Sequence, residues 1–201
     1  PAVTVHTPEW LWLSSGVRAV DHAVETICSL DANDYTDGTA IQALKSLSEG
    51  LARCKADGSD LEGRLKCQMG AWLSMVGIVA GTRLGASHAI GHILGGSAGV
   101  PHGHTSCVML PYVLDYNKPV NADRQRLVAE ALGKPDAPAS ETVHHLIKGL
   151  GMPRTLREVG VQHDDLPRLA ENCMLDDWTF SNPRPISSPD QIMEILKAAH
   201  G

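Results

Sequence analysis

The stretch SHAIGHILGGSAGVPHGHTS, residues 87–106, predicts how this chain folds back on itself. His88 and His92 are four residues apart, a spacing that places two side chains on one face of a helix with Cβ atoms about 6 Å apart. The glycine-rich segment that follows is expected to turn the chain, so that His102 meets the first two imidazoles. A helix, a return and a second helix would then bring three histidines together.

The glycines of this stretch do not match a dinucleotide-binding loop. That loop has the spacing G-x-G-x-x-G between a strand and a helix, whereas GGSAG, residues 95–99, follows a helical pattern. Small residues around His88, His92 and His102 leave room for a ligand to approach the rings. These small neighbours favour a ligand-binding site at the three histidines. For His22 alone, a lone histidine on an apolar helix face, a buried core residue is the more common interpretation.

Composition limits the classes of partner. The 201 residues carry a formal net charge of −6 and are 43% hydrophobic, so the chain can bury a core, and no basic patch favours nucleic acid or an anionic membrane. The five cysteines form no C-x-x-C pair, which predicts reduced thiols and a cytoplasmic location. The longest uncharged apolar run, residues 69–80, is shorter than the ~20 residues that span a bilayer and predicts a buried helix.

Helix signals occur along the whole chain. Thr7-Pro8-Glu9 predicts a start ahead of an apolar-periodic stretch to about Leu30. A helical period covers residues 37–56, and a capping box at Ser59–Glu62 opens a segment that is expected to reach about Gly81. Later starts are predicted at Asn121, Ser140, Asp164 and Ser188. We therefore expect an all-α, multi-helix bundle of seven to ten helices with no dividing linker.

Four segments together resemble the C-terminal helical domain of the iron-containing alcohol dehydrogenase superfamily, within it the maleylacetate reductase-like branch. They are SSGVRAVDHAVE (14–25), GASHAIGHILGG (85–96), PHGHTSCVMLPYVLDYN (101–117) and SNPRPISSPDQIMEILKAA (181–199). The resemblance implies a dehydroquinate synthase-like C-terminal fold. It also implies an oxidoreductase that moves a hydride between NAD or NADP and a small carbonyl compound or alcohol.

The same resemblance implies a second domain. Family members join an N-terminal α/β dinucleotide-binding domain to the helical domain, and the active site lies in the cleft between them. Residues 1–201 match only the helical half, and the start PAVTVHTPEW resembles a domain taken from a longer protein. The dinucleotide-binding domain is therefore expected to be absent from this chain, which alone should be inactive and should bind NAD(P) weakly or not at all.

The resemblance assigns candidate metal ligands. The family's ligands are an Asp and a His four apart on the first long helix, the first His of H-x-x-x-H and the His of PHG. His22, His88 and His102 match the three histidines, but Arg18 stands at the Asp position. A guanidinium has no lone pair to donate, so iron or zinc is not expected to bind tightly, as in maleylacetate reductases, which are understood to work without metal.

His92 and Arg18 are then the candidate catalytic residues. His92 is placed to exchange a proton, and Arg18 could stabilise a substrate oxygen or pair with a substrate carboxylate. An i, i+3 ion pair between Arg18 and Asp21 is an equally open interpretation.

The leading interpretation is the substrate-binding half of an NAD(P)-dependent reductase of maleylacetate or a related ketone or aldehyde, or of an alcohol dehydrogenase. The alternatives are a stand-alone metal-binding protein or hydrolase that reuses the three histidines, and an inactive fragment. A homo-oligomer is expected, with neither nucleic acid nor membrane as a partner.

Overall fold

A computed structural model describes residues Pro1–Gly201 and contains helices and no strand. Its nine α-helices are α1 (Glu9–Cys28), α2 (Asp34–Ala56), α3 (Leu61–Ser74), α4 (Val76–Val79), α5 (Ala86–Ala98), α6 (His102–Ala131), α7 (Ala139–Gly149), α8 (Leu166–Cys173) and α9 (Pro189–His200). Four 3₁₀ turns lie at Ala2–His6, Arg157–Val159, His163–Asp165 and Asp177–Thr179. The prediction of an all-α multi-helix fold is confirmed.

Local capping decides where several helices begin. At α9, Gln191 accepts the backbone N–H of Ser188 at 3.1 Å, as the predicted start there requires. The second helix begins earlier than its apolar period indicates, because the Asn33 side chain accepts the backbone N–H groups of Tyr35 and Thr36, both at 3.2 Å.

The prediction of one helix from Ser59 to about Gly81 is wrong in two respects. Asp60 caps α3 instead of Ser59, accepting the backbone N–H of Gly63 at 3.0 Å. The helix also ends at Ser74, and the short α4 follows after Met75. The break lets Gly77 approach α1, where a Cβ would lie 2.5 Å from the Thr26 side chain.

Two hydrophobic clusters form the core, and α6 belongs to both. One face of α6 packs Cys107, Leu110 and Leu114 into a cluster built mainly with α1, α2 and α7. The opposite face packs Val108 and Val113 into a cluster with α5, α8 and α9. Because α6 is shared, its first turn is fixed relative to both α1 and α5, the helices that carry the candidate site residues.

The helix α6 is bent where a new helix start was predicted. Asn121 has non-helical backbone angles, φ −138° and ψ 30°, two residues after Pro119, which cannot donate a helical hydrogen bond. Gln125 stabilises the bend by donating to the Leu114 carbonyl at 2.7 Å and to the Asn121 side chain at 2.9 Å.

Gly103 brings α6 against α1. A Cβ at this position would lie 2.5 Å from the carbonyl carbon of Ser14, a backbone atom that cannot move aside independently. Only glycine allows this approach, which explains the glycine of the PHG segment. None of the helices combines the length and apolarity required to cross a lipid bilayer.

Candidate functional site

Two of the predicted site histidines stack in the interior between α1 and α5. The ring centroids of His22 and His88 are 4.9 Å apart, with an interplanar angle of 28°. His92, one turn further along α5, meets His88 edge to face at 6.5 Å. His102 opens α6 as an exposed side chain, and positive charge on its ring would lower the pKa of both His22 and His88.

A buried glutamate, Glu25, orients His88. Its carboxylate lies 2.7 Å from Nδ1 of His88 and accepts the backbone N–H groups of Gly85, Ser87 and His88 at 3.0–3.2 Å. Three N–H donors favour the ionised carboxylate, so the proton of the His88 ring resides on Nδ1. The opposite nitrogen, Nε2, is buried without a hydrogen-bond partner.

Asp21 and two serines form a second buried network. Asp21 is fully buried, and its Oδ2 accepts the hydroxyl hydrogens of Ser87 at 2.8 Å and Ser106 at 2.6 Å. Its Oδ1 has no hydrogen bond and lies 3.6 Å from Nδ1 of His88. The aspartate is therefore held by hydroxyl groups and is not free to rotate toward a ligand.

Arg18 lies in the same interior with few partners. The side chain is 5% exposed, Nη1 donates to the Ser106 hydroxyl at 3.2 Å, and Nε is buried without a partner. Gly91 on α5 leaves space for the guanidinium, since a Cβ there would lie 3.1 Å from Nη1. The i, i+3 pair with Asp21, which the sequence left open, is present only as a 3.9 Å approach.

Burial and like charge disfavour protonation of His22, His88 and His102. Burial and the neighbouring charges of His88, Arg18 and His102 lower the pKa of His22 from 6.5 to about 3. Burial lowers the pKa of His88 to about 3 despite the opposing effect of Asp21. Burial also lowers the pKa of His102, and Arg18 contributes in the same direction at each of the three rings.

Burial also sets the direction of the pKa shifts of Asp21, Glu25 and Arg18. Burial raises the pKa of Asp21 and of Glu25, although hydrogen bonds to their carboxylates oppose the shift. Burial lowers the pKa of Arg18, while Asp21 and Glu25 raise it. Because an arginine begins above pH 12, the guanidinium remains the cation of the site at neutral pH.

These residues do not fit a resident divalent metal. Asp21, Glu25 and His88 place ligand atoms within 4.8 Å of one another, but Glu25 and Nδ1 of His88 are already joined by a hydrogen bond. The three matched histidines keep nitrogen lone pairs, yet Arg18 disfavours positive charge on every one of them. The same repulsion would act on a metal cation.

His92 has a partner that the sequence did not indicate. Its Nδ1 lies 2.7 Å from Oδ2 of Asp176, and the Trp178 ring lies 5.3 Å from the imidazole. Both residues belong to the turn between α8 and α9, where no motif marked a site. Glu25 could have been found, because Arg18, Asp21, His22 and Glu25 recur at helical spacing on one face of α1.

Comparison with known proteins identifies a family match over almost the whole chain. The family model described as "Fe-containing alcohol dehydrogenase family, C-terminal" matches residues 12–200. Maleylacetate reductase 1 of Cupriavidus pinatubonensis is 31% identical over 188 residues, which cover 94% of this chain and 52% of that protein. The 1,3-propanediol dehydrogenase of Citrobacter freundii is 35% identical over 210 residues, with 99% and 53% covered.

Solved structures share the fold. The crystal structure of maleylacetate reductase from Rhizobium sp. strain MTP-10005 matches with a TM-score of 0.88 at 28% identity, covering 99% of this chain and 55% of that one. The chain thus spans about half the length of the relatives that it matches.

Proposed function

The chain belongs to the Fe-containing alcohol dehydrogenase family, and we propose that it is the substrate-binding half of an NAD(P)-dependent oxidoreductase. The proposed reaction reduces a ketone or aldehyde, or oxidises the corresponding alcohol. The observation that carries this proposal is the buried group formed by Arg18 and the unpartnered ring nitrogens of His22 and His88. These atoms offer a small polar ligand one cationic donor, the lone pair of His88 Nε2, and Nδ1 of His22, which donates or accepts according to its tautomer.

Arg18 is suited to receive the charge that develops during carbonyl reduction. Hydride addition to a carbonyl carbon leaves negative charge on the oxygen, and a preorganised N–H donor in a dry site stabilises that charge. Nε of Arg18 is such a donor, since it is buried and makes no bond within the chain. No step of this mechanism passes through a metal ion, because the residues do not fit one.

The histidines have different tasks in this proposal. Because His88 donates Nδ1–H to Glu25, its Nε2 carries a lone pair and can accept a hydrogen bond from a substrate hydroxyl. It cannot donate to an oxyanion in this tautomer. His92 is more exposed, with 39% of its side chain accessible, and is placed to exchange a proton with the substrate oxygen or with water.

A carboxylated ketone of the maleylacetate type is the substrate class that we favour. The guanidinium of Arg18 attracts a substrate carboxylate as a cation, and it stands at the position of an acid that would repel such a group. The similarity to two maleylacetate reductases supports this choice. The similarity to 1,3-propanediol dehydrogenase supports a simple alcohol or aldehyde as the alternative.

The hydride would come from NADH or NADPH held by a dinucleotide-binding domain outside residues 1–201. No segment of these residues has a nucleotide loop, and the helices offer no strand-to-helix turn for one. The exposed apolar side chains of α3 and α4, among them Trp72 at 71% and Val79 at 81% accessibility, support contact with a second domain or a second subunit. Five free, buried cysteines support a cytoplasmic location.

The experiment is an assay of the complete gene product that contains this chain. NADH and NADPH oxidation would be followed with maleylacetate and with a simple aldehyde, in the wild type and in Arg18→Gln. We expect reduction of the carboxylated ketone and a loss of at least about 100-fold in kcat/KM in the variant, the usual effect of removing an oxyanion donor. Arg126→Gln, a change of the same kind at an exposed arginine of α6, is the matched control. If neither NADH nor NADPH supports reduction of any tested substrate, the proposal is contradicted.

A further inference from the structure

The turn that contains Asp176 and Trp178 forms a wall of the histidine site from a distant part of the sequence. The Trp178 ring contacts two histidines at once, with centroid distances of 5.3 Å to His92 and 5.8 Å to His88. This indole therefore lies beside both the exposed and the buried imidazole. Neither residue belongs to the family ligand set or to the roles proposed above.

The carboxylate of Asp176 is itself held in place. Its Oδ1 accepts the backbone N–H of Trp178 at 3.0 Å, and its backbone carbonyl accepts the N–H of Thr179 at 3.0 Å. The Oδ2 atom then points to Nδ1 of His92 at 2.7 Å. Because one oxygen is bound to the turn and the other to the imidazole, the ring cannot rotate without breaking the second bond.

We propose that Asp176 is a positioning residue that holds the proton of neutral His92 on Nδ1, so that Nε2 is the nitrogen that exchanges protons. A carboxylate beside one ring nitrogen selects the tautomer with hydrogen on that nitrogen and frees the lone pair of the other. The tautomer is a property of this chain alone, whereas its use in catalysis rests on the proposed function.

A purely structural bond between an exposed histidine and a loop acid is the competing explanation. Such a bond would stabilise the turn, but the protonated ring nitrogen would have no effect on a reaction. The kcat of Asp176→Asn in the complete protein separates the two explanations. Asp177 is the control for charge, because it is exposed, carries the same charge and has no hydrogen bond to His92.

The test is long-range ¹H–¹⁵N NMR of the 201-residue chain with ¹⁵N-labelled histidine rings. The spectra are recorded at about pH 9, well above the ordinary pKa of histidine. Loss of one ring signal set in His92→Gln assigns the resonances. In the wild type we expect a protonated-type shift for Nδ1 and an unprotonated-type shift for Nε2. Asp176→Asn should reverse the two shifts, because an amide can donate to Nδ1, whereas Asp177→Asn should leave them unchanged.

An Nε2–H tautomer in the wild type, or unchanged shifts in Asp176→Asn, would overturn the proposal. The wild-type measurement needs no variant, so it decides the point even if Asp176→Asn fails to fold. In the complete protein, Asp176→Asn should lower kcat by about 10- to 100-fold with little change in KM, and an unchanged kcat would also overturn the proposal. A wild type without reductase activity would contradict the proposed function instead, and the tautomer would still test the role of Asp176.

Discussion

Arg18 and Asp21 lie one turn apart on α1, but their nearest charged atoms, Nη1 and Oδ2, are 3.9 Å apart. The Ser106 hydroxyl mediates between them, accepting from Arg18 at 3.2 Å and donating to Asp21 at 2.6 Å. The aspartate therefore does not neutralise the guanidinium through a direct contact, and positive charge remains available at the centre of the histidine group.

Arg18→Asp should create a metal site. The change removes a cation and adds a carboxylate ligand beside three neutral imidazoles, and a charge a few ångströms from a divalent ion contributes roughly a few kcal/mol at an effective dielectric near 20. We expect the affinity for Zn²⁺, measured by calorimetry on metal-free protein, to rise by about 100-fold or more, since each 1.4 kcal/mol is tenfold.

The matched control is Arg126→Asp, which makes the same charge change on the exposed surface of α6. It should leave zinc affinity within a fewfold of the wild type, because exposed charges at a distance are screened. Equal zinc binding by both variants would show that net charge, not the position of Arg18, controls the site.

Gly103→Ala should be strongly destabilising, whereas Gly96→Ala should not. A Cβ at Gly103 would lie 2.5 Å from the Ser14 backbone, while nothing lies within 4 Å of one at Gly96 on α5. Urea denaturation should show a loss of about 2 kcal/mol or more for the first, as for other overpacked positions, and a gain of up to about 1 kcal/mol for the second from helix propensity. Equal effects would refute the close approach of α6 and α1.

The sequence was sufficient for the fold class and for the first helix, since an apolar period and a start signal at Pro8 are local properties. It was insufficient at α3, where the apolar pattern continues to about Gly81 but the helix ends at Ser74 and Gly77 of α4 packs against Thr26. In the site, H-x-x-x-H predicted that His88 and His92 share a face, but Asp176 is 84 residues from His92. No local pattern encodes such a pairing.

The contribution of His22 to the free energy of unfolding should fall as the solution is acidified below the ordinary histidine range. His22 has a pKa of about 3 in the folded chain and 6.5 as its ordinary value, so between these values the unfolded chain binds one more proton. Its contribution is fully present above about pH 6.5 and is lost toward pH 3, at up to about 1.4 kcal/mol per pH unit. Asp21 and Glu25, whose pKa values are raised, act in the opposite sense.

His22→Gln isolates this effect. In urea denaturation series at about pH 7, 6 and 5, the variant should show a shallower dependence of the free energy of unfolding on pH than the wild type. His145→Gln, at an exposed histidine of α7, should reproduce the wild-type slope. An identical slope in all three proteins would mean that His22 is protonated equally in the folded and unfolded chains.

The isolated 201-residue chain should not bind the coenzyme. Its residues form only helices and lack the strand–loop–helix unit that holds a pyrophosphate. Calorimetric titration with NADH and with NADPH should give no binding heat at millimolar coenzyme. Saturable binding of either one would show that these helices contain a nucleotide site.

The most direct test of the account is the metal content of the wild-type protein purified without chelator or nickel resin. Burial lowers the pKa of His22, His88 and His102, and Arg18 adds to the shift at each ring. This cation therefore stands where a divalent ion would bind among them. Elemental analysis should then find far less than one iron or zinc per chain. Near-stoichiometric iron or zinc, lost when His88 is replaced by alanine, would contradict it.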